Sequence, residues 1–150
     1  MKLVSFEAKT TTGPIRRIGV AVGDDEVVDV NAAYEQMLIE QGESTPRVAA
    51  KNSAPLDMNE FLEHGDRAFE AARDAVSLAK DRKGANELGA QIRYDIDEIN
   101  LLCPIPEPES IRCCSVFDEH IGRHRDLPDV YYEMPMYWKG SHKNMVDPNS

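Results

Sequence analysis

The sequence predicts an α+β fold, and three patterns along the chain lead to this prediction. Up to Val30, short apolar or alternating runs are separated by turn residues, which is typical of antiparallel strands. In several segments between Asn31 and Ala79, apolar residues recur at a spacing of about 3.6 residues, which is typical of helices. Short strand-like runs return after Gln91. We therefore expect a small sheet and a layer of helices.

The first thirty residues predict three strands. Lys2–Ala8 alternates roughly between apolar and polar residues, and Ile15–Val22 is largely apolar. A cluster of turn residues, Thr10–Pro14, lies between these two segments. Gly23–Asp25 then reverses the chain into Glu26–Val30. This spacing predicts a small antiparallel meander.

Three helices are predicted after the meander. Asn31 can cap the first helix, which ends at Gly42, and residues 43–54 are predicted to form a loop. Asp57, which a glutamate follows three residues later, has the spacing of a capping box and opens a short helix. Asp66 starts a longer helix that should pack on a sheet or on another helix. The predicted apolar face of this longer helix consists of Phe69, Ala72, Val76 and Ala79.

A proline-rich segment divides the chain into two predicted domains. Gln91–Tyr94 and Ile99–Leu102 are predicted to be short strands that precede this segment. Every second residue of Pro104–Pro108 is a proline, which imposes an extended backbone with few hydrogen-bond donors. We therefore expect an amino-terminal α+β domain of residues 1–103, a meander with helices, and a second domain of residues 104–150.

Composition and charge exclude several classes of function. Asp and Glu outnumber Lys and Arg by 27 to 17, which gives a formal net charge of −10. Such a charge repels nucleic acids and anionic membrane surfaces. No run approaches the roughly 18 apolar residues of a membrane-spanning helix, and the three cysteines lack the spacing of a disulfide framework. We expect a cytoplasmic protein with no nucleic acid and no membrane as partner.

Residues with reactive side chains concentrate in the last part of the chain. Three of the four histidines and two of the three cysteines lie after Pro108. His120 and His124 are four residues apart, and with Cys113 and Cys114 nearby a structural zinc site is one alternative. We therefore expect the catalytic or ligand-binding residues to lie in this region.

Three segments of this region occur in a characteristic succession. Leu101–Ile111 is rich in proline, Phe117–His120 is an aromatic residue followed by a histidine at the fourth position, and Met134–Ser141 combines proline, aromatic residues and lysine. The succession resembles the fumarylacetoacetate hydrolase family, in which a proline-rich segment leads into the catalytic domain and is followed by a lid with a histidine. The resemblance implies that residues 104–150 begin a mixed β-roll catalytic domain of this family.

The resemblance also implies a divalent-metal enzyme that acts on a β-dicarbonyl or acylpyruvate-like acid. The reaction would be hydrolysis of a carbon–carbon bond, or decarboxylation or isomerisation in related enzymes. The metal would be Mg²⁺, or alternatively Mn²⁺ or Ca²⁺, and it would stabilise the enolate that develops when the bond breaks. Family members are usually dimeric, so we expect the complete protein to be a homodimer with a small oxo-acid as substrate.

Individual residues take roles from the resemblance. His120 occupies the position of the lid histidine and is the predicted general base. Lys139, Arg123 and Tyr137 are predicted to bind the anionic substrate. The alternatives are a solvated surface lysine for Lys139, charge balance with Asp126 and Asp129 for Arg123, and core packing for Tyr137. Cys113 stands where longer family members carry an aspartate metal ligand. No metal ligand is assigned within this chain.

The family's remaining metal ligands, a Glu-x-Glu pair and a later aspartate, are expected beyond Ser150. Glu107–Glu109 matches the spacing of that pair but lies in the proline-rich segment. We therefore expect the front part of an enzyme, inactive or nearly inactive alone. The alternative is a catalytically inactive module that binds a small acid and lacks the metal site.

Overall fold

The structure, a computed structural model, describes residues 1–82, 84–115, 117, 119 and 126–148. The chain forms two compact units, Met1–Pro106 with Val146–Ser150 and Glu107–Met145, which we call the first and the second unit. The change of unit falls inside the proline-rich segment, close to the boundary predicted at residue 104. Helices and strands are both present, so the predicted α+β class is confirmed.

Five antiparallel strands form one sheet in the first unit. They are β1 (Lys2–Thr10), β2 (Gly13–Val22), β3 (Glu26–Asp29), β4 (Arg93–Asp95) and β5 (Ile99–Leu101). Their order across the sheet is β4-β3-β2-β1-β5. β1 and β2 pair along their whole length, and β3 continues the pairing on the other side of β2. The meander predicted for the first thirty residues is thereby confirmed.

The two faces of this curled sheet carry separate apolar clusters. Ile18, Val20 and Val28 pack with the helices on one face. Phe6 and Val27 belong to a smaller cluster with Ala8 on the other face, where the ring of Tyr94 meets the ring of Phe6 edge-on at 5.3 Å between centroids. The core of the first unit therefore lies on both sides of β1–β3, because successive side chains of a strand point to opposite faces.

Four helices follow β3 along the chain. They are α1 (Val30–Glu40), α2 (Pro46–Ser53), α3 (Met58–Glu63) and α4 (Asp66–Ala79). α4 packs against α1. The helical layer therefore covers the face of the sheet that carries the larger apolar cluster.

The start of α1 differs from the prediction. Asp29, and not Asn31, is the N-cap, and its Oδ1 accepts a hydrogen bond of 2.9 Å from the backbone N–H of Ala32. Asn31 lies inside the helix and donates from its side-chain amide to the carbonyl oxygen of Ala54 at 2.8 Å. Asp29 takes the cap because the last residue of a strand already has the extended backbone that an N-cap needs.

The loop predicted for residues 43–54 is wrong, because the segment contains α2. The helix begins at Pro46, whose fixed φ angle suits the first turn of a helix and whose missing N–H is not needed there. Ala50 is the one buried residue of α2. A helix that buries so little has a weak apolar pattern, and periodicity therefore did not reveal it.

The remaining two helices agree more closely with the prediction. Asp57 caps α3 as expected, because its Oδ1 accepts hydrogen bonds of 2.9 and 3.2 Å from the backbone N–H groups of Asn59 and Glu60. In α4 the predicted Phe69 and Val76 are only partly buried. The buried face of α4 consists of small residues instead: Ala68, Ala71, Ala72, Ala75 and Ala79.

The second unit contains a two-stranded antiparallel ribbon. β6 (Ile111–Ser115) pairs with β7 (Met136–Gly140), and a short helix, α5 (Val130–Glu133), lies between them in sequence. All five residues of β7 are exposed. The β-roll that the resemblance implies stays a prediction. Among the helices that the structure describes, none has the length and hydrophobicity needed to traverse a lipid bilayer.

Candidate functional site

The second unit contains a cavity of about 390 Å³ at the β6–β7 ribbon. Cavities that bind small organic molecules have volumes of roughly 300–1,000 Å³, so this size suits a small ligand. We call it the ribbon cavity. It is lined by Ser115, Asp126, Leu127, Pro128, Tyr131, Met136 and Trp138.

Strand alternation explains which ribbon residues line the cavity. Ser115 is the cross-strand partner of Met136, and Cys113 is the partner of Trp138. Cross-strand partners share a face of the ribbon, and so do residues two positions apart in one strand. Ser115, Met136 and Trp138 therefore project from one face, and Cys113 belongs to that face too.

The segment that leads into α5 supplies the other wall of the cavity. The carbonyl oxygen of Pro128 accepts a hydrogen bond of 2.9 Å from the backbone N–H of Tyr131, which closes a tight turn. The turn brings Leu127, Pro128 and Tyr131 to the same cavity.

Tyr131 contributes an unsatisfied polar group to this region. Its hydroxyl oxygen is buried and has no hydrogen-bond partner among the residues that the structure describes. Its ring meets the ring of Tyr132 edge-on, with centroids 5.3 Å apart. A buried hydroxyl without a partner costs about 1–3 kcal/mol, so a ligand that offered a partner would remove this penalty.

Asp126 is the one charged side chain among the described residues that line the ribbon cavity. It is exposed, whereas Ser115, Leu127 and Tyr131 are partly buried. Its carboxylate contributes a negative potential to the described part of the lining. The cavity is therefore less favourable for anions than for neutral molecules.

The opposite face of the ribbon is positively charged. Arg112 is the cross-strand partner of Lys139, and Cys114 is the partner of Tyr137. The guanidinium carbon of Arg112 is 5.4 Å from the centroid of the Tyr137 ring, which is a cation–π distance. Like charges directly opposite each other on antiparallel strands repel, and an anion between them would relieve the repulsion. We call Arg112, Tyr137 and Lys139 the cationic face.

Two of the predicted substrate-binding residues, Lys139 and Tyr137, thus lie together on the cationic face. Neither of them lines the ribbon cavity. Their roles in binding a substrate stay predictions. His120, the predicted general base, and Arg123 lie outside the described residues, and so does His124 of the zinc alternative.

Cys113, at the position of a family aspartate ligand, is an exposed free thiol on the face of Trp138. Within the part of the chain that the structure describes, no three His, Cys, Asp or Glu side chains come together as a group that could hold a metal ion. Binding of Mg²⁺, Mn²⁺ or Ca²⁺ stays a prediction.

The first unit contains a buried ion pair that links three elements. Nε and Nη2 of Arg17 in β2 donate to the two carboxylate oxygens of Asp29 at 2.6 and 2.9 Å. Burial alone would lower the pKa of Arg17, but the charge and hydrogen bonds of Asp29 outweigh this effect and raise it above its ordinary value. Burial, together with the charge of Asp29, raises the pKa of Tyr94. Since Asp29 also caps α1, we assign this cluster a structural role.

Sequence reasoning missed most residues of the ribbon cavity. Alternation along a strand puts neighbouring residues such as Tyr137 and Trp138 on opposite faces, and the cross-strand pairing agrees with this rule. The same alternation could have assigned Met136 to the face of Trp138. Tyr131 and Asp126 had no such signal, because a turn and not a regular repeat brings them to the cavity.

A scan against models of protein families found no match, and a search of curated proteins found none either. Functional inference therefore rests on the ribbon geometry and on the resemblance of the three segments described above.

Proposed function

We propose that this chain is the front part of a divalent-metal-dependent hydrolase of the fumarylacetoacetate hydrolase family. It would cleave a carbon–carbon bond in a β-dicarbonyl or acylpyruvate-like acid, or catalyse a related decarboxylation or isomerisation, as a cytoplasmic homodimer. The observation that carries the proposal is the cationic face, where Arg112 stands beside Lys139 and Tyr137. The resemblance assigns Lys139 to the substrate, Tyr137 is a predicted substrate-binding residue on the same face, and the strand pairing adds a second cation next to them.

The cationic face has the chemistry to bind the carboxylate of an oxo-acid. Arg112 and Lys139 are both exposed, so a dissolved acid reaches them directly. A guanidinium offers a planar pair of donors and an ammonium offers a compact charge, and a carboxylate accepts hydrogen bonds from both. The Tyr137 ring beneath Arg112 restricts the guanidinium and so lowers the entropy lost on binding.

His120 is proposed as the general base that takes a proton from water. An imidazole is suited to this role because its ordinary pKa lies close to neutral pH. The assignment rests on the sequence resemblance, since His120 lies outside the described residues.

The described residues do not make a magnesium site by themselves. Mg²⁺ prefers about six oxygen ligands, whereas no group of three candidate ligands occurs in the described part of the chain. The metal therefore belongs to the proposal by resemblance only, and the acid-binding step is the part that the geometry of this chain supports.

Calorimetric titration of the chain with acetopyruvate, an acylpyruvate, tests the substrate class. We expect Lys139→Ala and Arg112→Ala each to weaken binding by about fivefold, because each removes one exposed charge that faces the carboxylate. Lys143→Ala is the matched control, an exposed lysine of the second unit that lies outside the cationic face. Equal affinity in all four proteins would overturn the proposed acid site.

An assay of acetopyruvate cleavage with added Mg²⁺ tests the reaction. We expect little or no turnover by this chain alone, and loss of any turnover in His120→Asn. Turnover that survives His120→Asn would contradict the general-base assignment. The alternative function, an inactive module that binds a small acid without a metal site, predicts acid binding that Mg²⁺ leaves unchanged.

A further inference from the structure

The ribbon cavity has a chemistry that an acidic substrate does not explain. It lies on the face of the ribbon opposite to Lys139, and Asp126 is the charged residue that lines its described part. We propose that the ribbon cavity is a second binding site, which takes an uncharged aromatic compound that carries a hydroxyl group, in the simplest case a phenol.

The lining of the cavity favours an aromatic ring. Trp138 and Tyr131 offer ring surfaces from two different walls, one on β7 and the other on α5. Leu127 and Met136 add apolar surface between polar groups. Aromatic side chains bind rings through offset or edge-on contacts, and methionine adapts to flat apolar surfaces. A planar ring therefore makes more favourable contacts with this lining than a flexible chain of the same size would.

The buried hydroxyl of Tyr131 favours a ligand with a hydroxyl of its own. This oxygen has no partner among the described residues, although Tyr131 lines the cavity. A phenolic group both donates and accepts a hydrogen bond, so it matches a hydroxyl on the ligand whichever of the two donates. A plain hydrocarbon would leave the Tyr131 hydroxyl unsatisfied, and this difference makes the site selective for polar aromatics.

The described lining residues disfavour ligands that carry a charge. The carboxylate of Asp126 repels an anion such as benzoate. Asp126 is exposed, so water weakens both this repulsion and its attraction for a cation, and Tyr131 adds a neutral hydroxyl to the lining residues. An ion of either sign that entered the site would lose hydration, and the described lining residues offer no buried group of opposite charge to replace it. The preferred ligand is therefore neutral.

Ligand binding can be followed at the indole N–H of Trp138, because Trp138 is the one tryptophan of the chain. Its indole N–H gives one cross-peak in a ¹H–¹⁵N spectrum, and that peak reports on the cavity lining. Phenol, benzoate and benzylammonium are titrated separately into the full 150-residue chain. We expect a saturable shift with phenol, with an affinity about tenfold higher than for benzoate or benzylammonium. Absence of a saturable shift with phenol, or tighter binding of either ion, overturns the proposal.

Two matched variants locate the ligand within the cavity. Tyr131→Phe keeps the ring and removes the hydroxyl, and it is expected to weaken phenol binding about three- to tenfold. Tyr132→Phe is the control, because Tyr132 is the exposed neighbour outside the lining. Equal phenol affinity in both variants overturns the role of the Tyr131 hydroxyl. Asp126→Asn should reduce the preference for phenol over benzoate, and an unchanged preference contradicts the electrostatic argument.

The proposals of a phenol site and of an acid site can be contradicted independently of each other. Phenol binding is measured without metal or acetopyruvate, and Lys139→Ala is expected to leave it unchanged because Lys139 lies on the other face of the ribbon. A chain that binds phenol but not acetopyruvate supports the ribbon cavity and contradicts the cationic face. The reverse result overturns the ribbon cavity alone.

Discussion

The two units of the chain differ in how far they bury their apolar side chains. Every residue classed as buried in the described chain belongs to the first unit, where the sheet and four helices enclose the core. In the second unit Trp138 is 60% exposed and Tyr132 is 67% exposed. The first unit therefore has the packing that stabilises a fold, whereas the second unit presents rings and charges that are available to ligands.

The difference in burial predicts that truncation of an aromatic ring destabilises the first unit much more than the second. Phe61→Ala in α3 should lower the free energy of unfolding by about 3–5 kcal/mol, because Phe61 is fully buried and packs against Phe69. Phe117→Ala should change it by less than about 0.5 kcal/mol, because that side chain is 71% exposed. Denaturant unfolding measures both. Similar losses in the two variants would break the contrast between the units.

The next largest effect separates two neighbouring arginines of β2. Arg17→Ala should cost about 3–5 kcal/mol, because it leaves the buried carboxylate of Asp29 without its cation. Arg16→Ala should cost less than about 1 kcal/mol, since the pair of Arg16 with Glu7 lies at the surface with 3.8 Å between nitrogen and oxygen. Thermal unfolding of both variants at neutral pH provides the comparison. A larger loss of stability in Arg16→Ala than in Arg17→Ala would contradict the structural role assigned to Asp29.

A smaller effect is expected where the backbone of the sheet is tightly packed. A Cβ at Gly19 would overlap the side chain of Val27 and lie 3.0 Å from Cε1 of Phe6. Gly19→Ala should therefore destabilise the first unit by about 1–3 kcal/mol. The three atoms nearest to a Cβ at Gly140 all belong to Ile111 of the exposed ribbon, so Gly140→Ala should leave the unfolding transition of the first unit unchanged. If Gly19→Ala left the free energy of unfolding unchanged, β2 and β3 would be able to move apart without a loss of stability.

The smallest expected effect is a dependence of stability on alkaline pH. Because the folded pKa of Tyr94 is raised, the folded state holds the phenolic proton more tightly than the unfolded state does. This stabilisation is complete below the unfolded pKa of about 10 and is lost as pH rises through the higher folded pKa. Tyr94→Phe should therefore lose less stability than the parent chain between pH 9 and about 11.5. Parallel curves for the two proteins would contradict the raised pKa, and Tyr132→Phe serves as the exposed control.

Local signals in the sequence were sufficient for most of the first unit. The strands β1–β3 were predicted because alternation and turn residues act over a few positions, and α3 because Asp57 has its cap partners within three residues. α2 was missed because it buries one alanine and so has hardly any apolar face. The N-cap of α1 was misplaced by two residues because Asp29 and Asn31 are both suitable caps, and the end of β3 decided between them.

The candidate site was less accessible from the sequence. Alternation along β7 was enough to separate Tyr137 from Trp138. The neighbours of Lys139 depend on which strand pairs with β7 and in what register, and Arg112 lies 27 positions away in the sequence. Tyr131 reaches the ribbon cavity through the turn at Pro128, and no periodic pattern encodes that approach.

The sequence by itself determined the α+β class, the meander, the capping of α3 and the place where reactive residues gather, because each depends on interactions within a few positions. Only the tertiary structure decided that Arg112 faces Lys139, that Arg17 meets Asp29, and that the Tyr131 hydroxyl is left without a partner among the described residues. These features join residues that are distant along the chain. Their geometry follows from strand register and packing, which one-dimensional patterns of hydrophobicity do not specify.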